Sequence, residues 1–326
     1  MRRRDFITLV GSAVASPLAA RAQQVAMPVV GFVNAGSEDA STDRARAFRK
    51  GLSEAGYVEG QNVTVEYHWL EGRYDREPAL MADLVRRRVA LFAAWGTQSA
   101  LDAKAATTTI PIVFSVPQDP VQLGLVASLA RPGGNATGVN FFTSEVGTKQ
   151  LGLLHELVPK AVRVAVLVNP ANATVAETTL RDAQKAGRAI GLQIHALNAS
   201  TSREIDAAFA SLAPERPDAL VIAGDAFFAS RRTQLVTLTA RDRLPAAYAT
   251  REIVAAGGLM SYGTNLADAF HHIGLCTGSI LKAVKPADLP VVQSTKIEFV
   301  INLQTAKLLG IDVPPTLLAT ADEVIE

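Results

Sequence analysis

The residues Gly96-Thr97-Gln98-Ser99 follow directly on the apolar run Leu91–Trp95 and open a segment of helical period. A glycine after a strand lets the backbone turn close to a bound molecule. The first turn of a helix leaves N–H groups without acceptors and carries the positive end of the helix dipole, so this motif can bind an anion such as a carboxylate. The hydroxyls of Thr97 and Ser99 would add hydrogen bonds; an ordinary helix cap by Thr97 is the lesser alternative. Ser115 ends the next apolar run and is placed to reach the same anion, while Asp119 either caps a following turn or meets the ligand. In the second half, Asp225 follows the run Leu220–Ala223; it can cap a helix, or offer a carboxylate to an ammonium group that would compensate its burial. Asn34 and Asn169, each at the end of a strand, can both donate and accept, and asparagine is also common in turns.

Aromatic residues gather near strand ends: Trp95, Phe141, Phe142, Phe227, Phe228, Tyr248 and Tyr262. About half belong to the core by ordinary burial, and those that face a cleft, Tyr262 among the candidates, could sandwich a ring. Arg251 could bind a second acid group, but a surface role is the better reading.

No set of residues suits catalysis. The His271-His272 pair lies mid-helix with adjacent side chains pointing apart, a poor metal geometry. Gly133-Gly134 follow Pro132 and lead into a strand, so they form no phosphate loop. Neither a cofactor nor a metal is expected, and the chain reads as a binder that is not an enzyme. Cys276 is the single cysteine, which rules out an internal disulfide and fits a small buried apolar residue.

The elements that must position these residues alternate. From Met27 onward, short apolar runs of strand length are separated by longer segments of helical period, which indicates an α/β protein with doubly wound parallel sheets. The strands are read at Val29–Val33, Val63–Trp69, Leu91–Trp95, Ile112–Ser115, Gly138–Phe142, Arg163–Val168, Gln193–Leu197, Leu220–Ala223, Ala246–Ala249, Leu259–Tyr262 and Ile297–Ile301. The pattern repeats: Asn34 has its counterpart 135 residues later in Asn169, Ala93–Gly96 in Val221–Gly224, and Ile110–Ser115 in Leu244–Ala249. Two similar lobes are implied. Ligands of doubly wound sheets bind beyond the carboxyl ends of the strands, so two lobes facing each other would line one cleft with the residues named above.

The N-terminal segment has another purpose. Arg2-Arg3-Arg4-Asp5-Phe6-Ile7, a short apolar stretch to Ala20, and Ala20-Arg21-Ala22 follow the order of a signal peptide cleaved after Ala22. The string Arg3-Arg4-Asp5-Phe6-Ile7 resembles a twin-arginine signal. With no cysteine near the cut, a lipid anchor is not expected, and the mature chain should be free in the periplasm. Loss of four arginines and one aspartate with residues 1–22 takes the formal net charge from +1 to −2, which gives no support to a nucleic-acid partner.

A set of landmarks in order resembles the ABC-transporter substrate-binding family that includes tryptophan- and tyrosine-binding proteins. They are Phe48-Arg49-Lys50-Gly51-Leu52, Gly56-Tyr57-Val58-Glu59-Gly60, Ile110–Ser115 with Asp119-Pro120-Val121, Arg131-Pro132-Gly133-Gly134-Asn135, and Ile301-Asn302-Leu303 with Leu309-Gly310-Ile311. The resemblance implies a type I periplasmic-binding-protein fold whose lobes, 28–141 with 263–291 and 142–262 with 292–326, join at three hinge crossovers near Phe141-Phe142, Tyr262-Gly263 and 291–295. It also implies a small polar ligand, an amino acid or related carboxylate with aromatic ones preferred, and a membrane permease with its ATPase as partners of a monomer. A sensor that presents its bound state to a membrane receptor is the alternative.

Overall fold

The computed structural model describes residues 27–141 and 144–326. The signal peptide read at 1–22 and the ring of Phe142 lie outside the described residues. The strands in chain order are β1 (Val29–Asn34), β2 (Thr64–Trp69), β3 (Leu91–Trp95), β4 (Ile112–Val116), β5 (Ala136–Asn140), β6 (Arg163–Val168), β7 (Gln193–Asn198), β8 (Ala219–Ile222), β9 (Ala246–Tyr248), β10 (Met260–Thr264), β11 (Val292–Gln293), β12 (Ile297–Asn302) and β13 (Glu323–Ile325).

They form two sheets, in the orders β11-β5-β4-β3-β1-β2 and β13-β12-β10-β9-β8-β6-β7. The runs β5-β4-β3-β1-β2 and β10-β9-β8-β6-β7 have the same winding, which is the spatial form of the internal repeat. All pairings in the first sheet are parallel, and β10 with β12 is the antiparallel pairing of the second. Strands β3 and β4 are buried along their whole length because helices cover both faces, and so they read as unbroken apolar runs. Strand β2 stands at an edge, which accounts for its alternation of polar and apolar residues.

In each sheet the order reverses beside the first strand, between β1 and β3 and between β6 and β8. A crevice opens beyond the carboxyl ends at such a point. The apolar residues on the two faces of the first sheet and those around the second make separate cores. The architecture is that of a type I periplasmic-binding-protein fold.

The chain passes between the sheets three times: between β5 and the helix Ser144–Leu157, between β10 and the helix Leu266–Leu281, and between β11 and β12. The second passage falls at Asn265 rather than at Tyr262-Gly263, because β10 pairs with β12 through Thr264. Helix Leu266–Leu281 then returns to the first lobe and lies against helix Glu38–Glu54. Their backbones touch: a Cβ added at Gly274 would stand 2.2 Å from the Phe48 carbonyl oxygen, and one at Gly51 would stand 2.0 Å from that of His271. Cys276 is buried on this helix, and burial pushes its thiol up to about 11.

This contact yields a stability prediction. Gly274→Val must force the two helices apart, at a cost on the order of 1–3 kcal/mol or more. Calorimetric melting should show a Tm lower by several degrees; a Tm within about one degree of wild type would mean that the helices slide apart freely.

Candidate ligand-binding site

A cavity lies between the carboxyl ends of the two sheets, and its wall is mostly apolar. Trp95, at the end of β3, stacks on Phe141 with ring centroids 5.4 Å apart and planes 12° apart, and its other neighbour is Phe270 at 4.1 Å. Tyr74 and Tyr262 complete the aromatic part of the wall. Phe227, Phe228 and Tyr248 belong to the core instead.

Gly96, Thr97, Gln98 and Ser99 all line this cavity. Gly96 has φ 94°, in the left-handed region, which lets β3 turn sharply into helix Thr97–Ala106. No side chain caps that helix, so Thr97 is its first residue and not its cap. The first intrahelical bond runs from the Ala100 N–H to the Gly96 carbonyl at 3.0 Å, which leaves the N–H groups of Thr97, Gln98 and Ser99 without intrahelical acceptors. The hydroxyls are already engaged. Thr97 Oγ1 donates to Gln118 Oε1, and Ser99 Oγ donates to Glu77 Oε1 at 2.6 Å. Glu77 is wholly buried at the start of helix Glu77–Arg86, and burial pushes its carboxyl up to about 8, with Asp102 and Asp225 adding to the rise against the Ser99 hydrogen bond.

Across the cleft, Asp225 also lines the cavity, nine-tenths buried, at the start of helix Ala226–Ser230. Its Oδ1 accepts from the Phe227 N–H and from Asn169 Nδ2, each at 2.9 Å. Its Oδ2 accepts from Asn172 Nδ2 and from the Tyr74 hydroxyl, again at 2.9 Å. Four neutral donors therefore fill a carboxylate that can accept about four. Burial, and then the neighbouring Asp225, hold the Tyr74 hydroxyl well above its ordinary value, so Tyr74 remains a donor.

Four of the residues read as ligand contacts do not reach the wall. Asn34 is buried behind it, where Oδ1 accepts the Gly36 N–H at 2.7 Å and shapes the turn after β1. Asn169 is its counterpart after β6; it accepts the Ala171 N–H at 3.0 Å and supports Asp225 from behind. Ser115 sits inside the sheet, fully buried, its carbonyl accepting the Gly96 N–H. Asp119 accepts the Val121 N–H at 2.8 Å and so caps its own turn. Arg251, at the surface, pairs with Glu323. Among the described residues no cluster of three or more metal-ligating side chains is found.

Several wall residues give no local signal. Arg44 projects from helix Glu38–Glu54, almost wholly buried, and meets Glu252 of the other lobe at 3.4 Å. Burial raises the Glu252 carboxyl, but Arg44 and neighbouring hydrogen bonds outweigh that and hold it below its ordinary value. Gln150 donates to the Tyr248 carbonyl at 2.6 Å, and Asn172 stands below Asp225. Together with the Ser37 N–H to Ser230 Oγ bond at 2.9 Å and the Arg232–Asp39 ion pair, the Tyr74–Asp225 and Arg44–Glu252 contacts hold the lobes closed on the cavity.

Comparison with known proteins identifies the family and the fold. A family model described as ABC transporter substrate binding protein matches residues 26–325. A protein of Clostridioides difficile named tyrosine-binding protein is 28% identical over 275 residues, which span 83% of this chain and 78% of the relative. An ABC domain from Streptococcus pneumonia, solved in complex with L-Trp, is 26% identical and superposes with a TM-score of 0.81 over 92% of this chain and all of its own. A conserved domain protein from Vibrio cholerae is 25% identical, with a TM-score of 0.83 over 91% of this chain and 99% of its own. The matching family and the curated relative are described as binding proteins, not enzymes.

The cross-lobe bond from Tyr74 can be tested without a ligand. Tyr74→Phe removes one donor to a buried carboxylate, worth about 1.5–3 kcal/mol, and only the closed form loses it. Small-angle scattering of the free variant should show a larger radius of gyration than wild type; equal radii would mean that the other cross-lobe contacts suffice.

Proposed function

The chain belongs to the ABC transporter substrate-binding protein family, and from that premise we propose that it is the exported solute receptor of an importer, binding an aromatic amino acid between its lobes. In this reading the leader directs the chain to the periplasm and is cleaved after Ala22. The two sheets with their helices move as lobes about the three passages, as in hinge closure around a ligand. The closed monomer then presents its ligand to an inner-membrane permease that is driven by a cytoplasmic ATPase.

One observation carries the ligand class: an uncapped helix start faces a buried carboxylate across a cavity walled by aromatic rings. The helix start supplies donors and positive potential for the ligand's carboxylate. Asp225 supplies the opposite charge for its ammonium group, which would take the Oδ2 face to which Tyr74 and Asn172 donate. Trp95, Phe141 and Tyr262 would enclose the side chain. The tyrosine in the name of one relative and the L-Trp in the structure of another support the same class.

Calorimetry with L-Trp, L-Tyr and L-Phe beside their deaminated acids tests the assignment. Asp225→Asn should weaken the amino acids about tenfold to a hundredfold, the effect of one hydrogen bond to a charged group, and the deaminated acids far less. Tight binding of a neutral sugar, or equal loss for both series, would sink it.

A further inference from the structure

The helix start given above to a carboxylate has acids on several sides. Asp225 lies across the cleft, Asp102 one turn along the same helix, and Glu77 beneath it. Glu77 Oε1 is 2.6 Å from Ser99 Oγ, while Glu77 Oε2 and Asp102 Oδ2 are both buried and the two carboxyls meet in a side-chain hydrogen bond that needs one proton between them. The other oxygen of Asp102 accepts from Gln98 Nε2 at 3.0 Å, and the nearby Tyr74 hydroxyl is committed to Asp225. Two carboxyls that share one hydrogen bond do not both ionise, and the one farther from water keeps the proton. That one is Glu77, which is wholly buried.

We propose that Glu77 is a positioning residue for anion binding: as a neutral acid it donates its O–H to Ser99 Oγ, and Ser99 then turns its own hydroxyl proton into the cavity and onto the ligand's carboxylate. The short Ser99–Glu77 contact serves in either direction. With the proton on Oε2, Ser99 donates to Glu77 and gives the cavity nothing. With the proton on Oε1 the direction reverses, and a hydroxyl donor joins the backbone N–H groups of the first turn. Only hydrogen bonds change, and the proton stays on Glu77 throughout. An ionised Glu77 can only accept, so it keeps the Ser99 proton and adds a negative charge below the site. Burial, with Asp102 and Asp225, places that ionisation at about 8. Carboxylate affinity must therefore fall as pH rises through that value, and binding there must take up a proton.

This inference rests on the carboxylate lying at Gly96–Ser99, and the experiment separates the two. Phenylpropionate, an aromatic carboxylate with no amino group to titrate, is measured calorimetrically from about pH 6 to about pH 9. Wild type should lose about tenfold in affinity across that range, whereas Glu77→Gln, whose amide donates at every pH, should change less than about threefold. Ser99→Ala should bind more weakly at the acid end and keep only the smaller fall with pH that the Glu77 charge alone imposes. A flat wild-type profile, or an equal fall in Glu77→Gln, overturns the proposal. Infrared difference spectra of the free protein at neutral pH should contain a protonated-carboxyl band that Glu77→Gln lacks. If that band is missing while phenylpropionate still binds, the role of Glu77 is wrong and the carboxylate site stands. If the band is present but no carboxylate binds at any pH, the site assignment fails and the proposal with it.

Discussion

The carboxylate of Asp225 is the constraint around which both lobes are arranged. A charge this far from water must be met by donors, and the four it has come from three directions: its own helix start through Phe227, the loop after β6 through Asn169 and Asn172, and the opposite lobe through Tyr74. The first three hold it in place whatever the lobes do. The fourth exists only when the cleft is shut. Closure therefore gives the carboxylate a neutral hydroxyl as its fourth donor, and the ammonium group of the proposed ligand would be a stronger partner.

The two sheets wind alike, so the polarity of the cavity comes from how the equivalent positions have diverged. Gly96-Thr97 follows β3, and Gly224-Asp225 follows its counterpart β8. In the second lobe the residue after the glycine caps its own helix and leaves a carboxylate at the wall. In the first lobe the glycine itself occupies the cap position, and the helix start stays open. One wall is thus acceptor-rich and the other donor-rich, an arrangement suited to a zwitterion. Glu77 reconciles the donor wall with the acids around it, since a neutral carboxylic acid adds no opposing charge.

Much of this was legible in the sequence, for reasons particular to each element. Strands β3 and β6 could be bounded to the residue, because burial on both faces makes them apolar runs that stop at Gly96 and Asn169. The helix start at Gly96 was visible for the same reason. Asn34 and Asn169 were correctly placed at the strand ends but turn inward to shape loops, and nothing local distinguishes that from facing a ligand. Glu77 looks like an ordinary acid in the first turn of a helix; only the packing of that helix against Thr97–Ala106 buries it. Tyr74 and Arg44 meet partners 151 and 208 residues away, so their roles depend on lobe closure, which no local pattern encodes. Five-residue helices such as Ala226–Ser230 and Arg251–Ala255 are too short to show a period.

The passages between lobes explain how closure can be reversible while each core stays intact. They run side by side: the Ser294 N–H donates to the Asn140 carbonyl at 2.9 Å, and the Asn265 N–H donates to the Lys296 carbonyl at 2.8 Å. Asn265 also caps helix Leu266–Leu281 through the Asp268 N–H and reaches Glu298 on β12. Residues 294–296 between β11 and β12 are partly or fully exposed and belong to neither core. Rotation there rearranges backbone groups that water can serve equally well, whereas shearing either sheet would break rows of parallel pairings and expose apolar side chains. In the proposed hinge motion the soft direction is therefore the one that moves Tyr74 relative to Asp225, and opening would break only the few polar contacts across the cleft, on the scale of what the proposed charged ligand could supply.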